Sequence, residues 1–404
     1  MSSKRTRLAW LLIIACAATA RAEAAGRLEY QDGVPVVYLS GTPYEIGRQH
    51  GELLKDDVRA SVTEVLGFFR SYLKVPLIRI WAVNWWLDNA WRAGSKYMAA
   101  GDLEELRGLS DGSGVPLREL YRLHAIPDRT YSCSMLAAWG HATSDGRLIH
   151  TRNLDWTIEA GIQRYAAVFV VHPAGRHAYV NIAWAGFTGV LTGINDQQLS
   201  VGQVGAETVE ATFHGEPMVF LLKRVLQDAT NTDEAADIVT RARRTVGVNY
   251  IFADAKAKRA IVVETNARHV RVFQADDPIE HGVSYAHPAV DAVFRADAAM
   301  DPVIRDRQLA SHGDPARPGL EDPSGSSAYD IRYLGQAAGM QAHYGVLDAE
   351  SAKDIARKVA PRSNVQSVVF AWPEAWVANA VGLMPAAQTT YHRLDLKRLL
   401  ATHR

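Results

Sequence analysis

The chain has 404 residues, 48% hydrophobic and 22% charged, which is enough apolar side chain for a sizeable core and excludes bulk disorder. Its 44 basic and 44 acidic residues cancel to a net charge of +0, so there is no electrostatic footprint for a phosphate backbone and nucleic acid is not expected as a partner. With cysteine only at Cys16 and Cys133, disulfide scaffolds, cysteine-rich zinc modules and iron–sulfur clusters are excluded.

The first 22 residues read as a basic region, the apolar run LAWLLIIACAATA, and the small-x-small site Ala20-Arg21-Ala22, which predicts a signal peptide cut after Ala22. Cutting there removes four basic residues and no acid, leaving 40 against 44, so the exported form is mildly acidic. A stable membrane anchor is the weaker reading, because the apolar run falls short of the ~20 residues a span needs. A second alternative is a lipoprotein, since Ile13-Ile14-Ala15-Cys16 loosely resembles a lipobox with Cys16 as the lipidated residue. The expected location is periplasmic or extracellular. Removal of the peptide leaves Cys133 as a single thiol where unpaired thiols are oxidised.

From Tyr44 to Leu123 apolar residues recur at three-to-four spacing, which predicts a mostly helical leading segment over 23–132. Short β-type runs then dominate: Met135 to Gly140, Leu148 to Arg152, Ala166 to His172, Ala178 to Trp184, Gly189 to Ile194 and Leu199 to Val204. Helices are predicted at Pro217 to Asp228 and Asp233 to Ala242, and strands at Asn249 to Ala253 and Ala260 to Glu264. A Pro/Gly/Ser/Asp-rich loop covers His312 to Ser327, followed by helices at Tyr329 to Ala338 and Ala349 to Val359 and strands at Val365 to Trp372 and Trp376 to Val381. Runs of strands, then helices, then strands argue for an α+β sandwich of largely antiparallel sheets over 133–404. Neither GxGxxG nor GxxxxGK[ST] occurs, and the histidines show no paired spacing on a helix face, so neither a nucleotide cofactor nor a metal is implied.

Ser144-Asp145-Gly146 between β-type runs predicts a hairpin. A turn centred near Asp145 returns Asp155 and Trp156 beside Met135 and Ser134, with Arg152 close by. A thiol, a guanidinium and a carboxylate then converge at one hairpin end. A nearby Arg favours the thiolate, and a carboxylate can orient a base or hold an ammonium group.

Cys133-Ser134, Trp139-Gly140-His141-Ala142-Thr143-Ser144-Asp145-Gly146 and His150-Thr151-Arg152-Asn153-Leu154-Asp155-Trp156 together resemble the cysteine N-terminal-nucleophile hydrolases. Within that class the chain looks most like the isopenicillin-N (6-aminopenicillanate) acyltransferase-like autoproteolytic hydrolases, related to choloylglycine hydrolase and penicillin V acylase. Gly41 to Gly51 is similar to the opening motif of the acyltransferase-like proenzymes. The resemblance implies a four-layer αββα sandwich, self-cleavage before Cys133 and a thioester acyl-enzyme formed from a small N-acyl substrate, with no cofactor. It further implies Cys133 as nucleophile and new N-terminus, Arg152 tuning the thiol, Asp155 holding the amino group, Asn195 and Asn249 as oxyanion donors, and Arg332 in a late Ser-x-x-Arg-type segment. Ser132 departs from the glycine that precedes the cysteine in the acyltransferase, and Ala286-His287 stands where relatives often carry Asn-His. Two other readings remain open: a lipid amidase of the acid ceramidase or acyl-ethanolamide type, and an inactive binding protein on the same fold.

Gly108-Leu109-Ser110-Asp111-Gly112 satisfies the G-x-S-x-G nucleophile elbow, but a helical run precedes it where a strand is required, which predicts a helix-terminating loop. His50 is expected to be structural, near a helix end disrupted by Gly51. Trp81, Trp85, Trp86 and Trp91 fit either core packing or an acyl-binding or interfacial surface.

Overall fold

The computed structural model describes residues 26–72, 79–126, 132–309 and 332–401. The expected signal peptide, Cys16 and the 312–327 loop lie outside the described residues. In chain order, β1 (Arg27–Gln31) and β2 (Val34–Gly41) form a hairpin. Helices α1 (Pro43–Leu53), α2 (Lys55–Tyr72), α3 (Arg79–Gly94), α4 (Ala100–Ser113) and α5 (Leu117–His124) follow. Six strands come next: β3 (Ser132–Ala138), β4 (Ile149–Asp155), β5 (Ala166–Pro173), β6 (Tyr179–Trp184), β7 (Thr192–Asn195) and β8 (Leu199–Gly205). The chain continues through α6 (Met218–Asp228), α7 (Thr232–Arg241), β9 (Val248–Asp254), β10 (Arg259–Thr265), β11 (Val270–Phe273), β12 (Ala292–Arg295) and α8 (Pro302–Arg305). It closes with α9 (Leu334–His343), α10 (Ala349–Val359), β13 (Asn364–Ala371), β14 (Glu374–Asn379), β15 (His392–Asp395) and α11 (Leu396–Ala401).

The strands form two sheets, one of nine strands in the order β1-β2-β5-β6-β7-β8-β9-β10-β11 and one of six in the order β12-β3-β4-β13-β14-β15. Among the described strands every pairing is antiparallel except β2 with β5. The sheets face each other through β3, β4, β8 and β9, while α6 and α7 cover the outside of the larger sheet and α10 covers β4 and β13. This is a four-layer αββα sandwich. Strands β4, β6, β9 and β13 are buried along their whole length between the layers, although β4 carries His150, Thr151, Arg152, Asn153 and Asp155.

Among the described residues the leading segment is mostly helical between Pro43 and His124, but it also supplies two strands that sequence periodicity did not indicate. Because β2 pairs with β5, this segment is part of the larger sheet and not a separate cap. The helix α1 begins with a capping box, Thr42 and Glu45, and runs straight through Gly51. Gly51 does not disrupt it. The glycine instead lets α1 approach α4, since a Cβ there would lie 2.6 Å from the Ser113 nitrogen. Gly108 and Gly112 of the G-x-S-x-G stretch do the same from the other side, and Ser110 sits in the last turn of α4, not in the expected loop, with its hydroxyl donating to the Val115 carbonyl. The elbow geometry is absent. No helix among the described residues is long and apolar enough to cross a membrane.

Candidate active site

The β3–β4 hairpin forms as expected, but its register differs. Asp155 lies opposite Ser132 and Arg152 opposite Met135, because the connection includes a 3-10 turn at Gly140–Ala142 as well as the bend at Gly146. The expected pairing of Asp155 and Trp156 with Met135 and Ser134 assumed one tight turn. The observed register puts Cys133, Leu154, Met135 and Arg152 on one face, directed between the sheets.

Cys133 is fully buried. The Arg152 Nη2 donates to its Sγ at 3.4 Å and to the Gln203 carbonyl of β8 at 3.3 Å, so the guanidinium bridges the two sheets. Gly202 makes room for this crossing: a Cβ there would stand 3.0 Å from the Arg152 Cγ and 2.7 Å from the Met135 Sδ. Burial pushes the thiol up to about 12, opposed chiefly by the charge on Arg152 and also by a backbone hydrogen bond from Asp155. At neutral pH the sulfur is therefore a protonated thiol.

Asp155 and Arg332 meet as an ion pair, Oδ2 to Nε at 2.9 Å, and Asn364 Nδ2 donates to Asp155 Oδ1 at 2.9 Å. Burial raises the Asp155 carboxyl to about 6, while Arg332 pulls it back down. The backbone nitrogen of Cys133 does not go to Asp155. It donates to Asp297 Oδ1 at 3.1 Å, and Arg332 Nη1 donates to Asp297 Oδ2 at 2.8 Å. Arg332 therefore stands between two buried carboxylates, and the residue with the least specific sequence signal lies at the centre of the cluster.

The two asparagines have other geometries. Asn195 closes the β7–β8 turn: its Oδ1 accepts from Gln197 and Leu199 nitrogens, and its Nδ2 donates to the Leu226 and Ala229 carbonyls at the end of α6. Its amide protons are spent on the helix side of the sheet, away from the thiol's face, so the structure does not bring it to Cys133. Asn249 lies between the sheets and donates to the carbonyls of Ala296 and Ala298, at 3.0 and 3.2 Å. It thereby grips the chain on both sides of Asp297 and is a positioning residue here.

Sequence reasoning missed Asp297 and Asn364. A signal existed for the first, because Ala296-Asp297-Ala298-Ala299 places one charge in a run of small apolar residues, the pattern of a buried and paired carboxylate. Asn364 precedes a register irregularity in β13 that only the pairing reveals.

His150 is buried beside this face with Nδ1 2.9 Å from the Ser200 hydroxyl, and burial pushes it down to about 3, so it stays neutral. His287 has its backbone nitrogen on the Tyr333 hydroxyl. Beside Cys133's partner Leu154 opens an apolar cavity lined by Leu154, Trp156 and Trp184 of the sandwich and by Val65, Leu123 and Ile126 of the leading helices and the residues after them. Trp91 is buried and stacked on Tyr121, whereas Trp81, Trp85 and Trp86 are exposed, so the tryptophan cluster divides between core and surface.

A thiol at the head of a strand, a guanidinium on its sulfur and an Asp–Arg–Asp cluster at its nitrogen, set in an αββα sandwich, are the arrangement that the resemblance to cysteine N-terminal-nucleophile hydrolases implies. Residues 142–289 match the family described as acyl-coenzyme A:6-aminopenicillanic acid acyl-transferase. Among similar proteins, dcd1B of Dictyostelium discoideum is 29% identical over 61% of this chain and 53% of its own length. The acid ceramidase of Rattus norvegicus is 24% identical over 45% of this chain and 51% of its own. The chain thus spans about half the length of these relatives. The solved structure of the N-acylethanolamine-hydrolyzing acid amidase ortholog of Caenorhabditis elegans aligns over 59% of this chain and 92% of that one, at 19% identity and a TM-score of 0.43.

Proposed function

We propose that the protein is an exported amidohydrolase or acyltransferase that cleaves the linear C–N bond of a small N-acyl compound through a thioester on Cys133. The observation that carries this reading is the Arg152 guanidinium on the Cys133 sulfur, with the Cys133 nitrogen held in the Asp297–Arg332–Asp155 cluster. The buried, protonated thiol fits a precursor. Self-cleavage between Ser132 and Cys133 would free an α-amino group to act as general base, with Arg152 favouring the thiolate as it forms. The family match supports acyl transfer or amide hydrolysis as the reaction class.

The acyl group is apolar in this reading. The cavity beside Leu154 and Trp156 presents no charged side chain, and the exposed face of α3, with Trp81 at 69% and Trp85 at 58%, adds apolar surface in the leading segment. The names of the acid ceramidase and acylethanolamine amidase relatives favour the same chemistry, an amide whose acyl part is a hydrocarbon chain.

The test is a panel of acyl amides of increasing chain length on wild type and Cys133→Ala. Turnover should rise with chain length, persist with chelator and vanish in Cys133→Ala. An inactive binding protein would show no turnover and a thiol inert to alkylation until unfolding.

A further inference from the structure

We infer that Asp297 is the group that holds the reacting nitrogen of Cys133, accepting a hydrogen bond from its N–H before the Ser132–Cys133 bond opens and from the ammonium group afterwards. This rests on Cys133 being an N-terminal nucleophile. Three contacts fix the carboxylate in place. Its Oδ1 accepts from the Cys133 nitrogen at 3.1 Å, its Oδ2 accepts from Arg332 Nη1 at 2.8 Å, and Asn249 grips the carbonyls on either side of it. Asp297 is 1% exposed, so water does not compete for the nitrogen.

The chemistry of bond opening needs such a group. Attack of the Cys133 sulfur on the Ser132 carbonyl carbon forms a C–S bond, and loss of the C–N bond then leaves a thioester. The sulfur gives up one proton and the nitrogen gains one, and a carboxylate on that nitrogen can accept the first and deliver the second. Water then hydrolyses the thioester, returning the thiol and leaving a carboxylate on Ser132. No oxidant or metal enters the balance.

After cleavage the α-amino group faces Asp297 and Asp155 as anions and Arg332 and Arg152 as cations. In the resting enzyme the ammonium form is stabilised by the contact with Asp297, and the free amine that serves as base appears only above its pKa. Removing the Asp297 charge lowers that pKa, by about one unit or more for an opposite charge at hydrogen-bond distance.

The experiment follows two readouts on the full chain. Mass spectrometry times the appearance of the fragment beginning at Cys133, and the acidic limb of the pH–rate profile reports the amine. Asp297→Asn is expected to slow cleavage at least ten-fold and to move the acidic limb of the fraction that does cleave about one pH unit lower. A residue that merely filled space would leave the limb in place. Should Asp297→Asn fail to fold, Asp297→Ser, smaller and equally uncharged, carries the same prediction. Wild-type cleavage and an unmoved limb in a folded variant would overturn the role of Asp297 alone. A wild-type chain that stays uncut while fully active would overturn the nucleophile reading beneath it.

Discussion

Arg332 keeps two buried carboxylates, Asp155 and Asp297, within reach of one thiol and one nitrogen. Two unscreened anions in so dry a site repel each other, and the guanidinium is what makes the arrangement tolerable. Arg332→Met should therefore cost about 3–5 kcal/mol of stability, the range for breaking a buried pair by removing one partner. The sign of its pH dependence follows. Without Arg332 the Asp155 carboxyl rises further above its unfolded value, so its contribution to stability is present at low pH and lost as pH climbs through the folded pKa. The deficit of Arg332→Met relative to wild type should be larger at pH 8 than at pH 5, read as urea midpoints, while Arg332→Lys should recover part of it. A deficit that does not change with pH would mean that Arg332 stabilises by packing alone. Arg152 acts on the sulfur in a simpler way. Its removal should slow alkylation of Cys133 in the folded protein, because the thiolate loses its main compensating charge.

At the scale of elements, the close crossing of α1 and α4 is set by Gly47, Gly51, Gly108 and Gly112. A Cβ at Gly47 would come within 1.9 Å of the Glu105 carbonyl oxygen and one at Gly108 within 2.0 Å of the Tyr44 oxygen. Backbone cannot yield as a side chain tip can, so Gly108→Ala should cost at least the ~1–3 kcal/mol typical of overpacking. Ser110→Ala, on the same turn, should leave activity intact. Thermal unfolding of Gly108→Ala together with an activity assay of Ser110→Ala separates helix packing from a nucleophile elbow. Much of the sandwich was legible from sequence, because strands such as β5, β6 and β10 read as nearly continuous apolar runs and α10 carries clear helical periodicity. The strands β11 and β12 were not legible: each has four residues and, unlike β7 at the end of the apolar run Gly189 to Ile194, neither extends a longer apolar run. For the site, the hairpin bearing Cys133, Arg152 and Asp155 could be read from the Asp-Gly turn, but its register could not, since the 3-10 turn at Gly140–Ala142 has no sequence signal of comparable strength. Asn195 illustrates the opposite limit. A Gly-x-Asn motif names a residue type, and only the contacts show its amide committed to the end of α6.

Over the whole molecule, the leading segment is bound to the sandwich by more than the bond before Cys133. The strand β2 lies in the larger sheet against β5, and Lys223 of α6, 1% exposed, donates to Asp102 at 2.9 Å and to Glu105 at 2.5 Å on α4. Cleavage before Cys133 should leave the two chains associated, co-eluting in gel filtration and separating only in denaturant. Two buried histidines add a pH-sensitive part to this attachment. His50 on α1 accepts from the Gly186 nitrogen, and His124 on α5 accepts from the Thr188 nitrogen while stacking on Phe187, so both leading helices pin the loop after β6. Burial pushes His50 down to about 3 and His124 to about 4, below the unfolded value of 6.5. As pH falls below 6.5 the unfolded chain takes up protons that these folded rings refuse, so their contribution is complete above 6.5 and lost progressively toward the folded values. At pH 5 a single histidine with His124's values accounts for about 2 kcal/mol of lost stability. His124→Gln, whose side-chain oxygen can still accept from Thr188, should therefore narrow the gap in urea midpoint between pH 7 and pH 5 relative to wild type. If the gap is unchanged, the acid sensitivity lies elsewhere and His124 is not buried as a neutral ring.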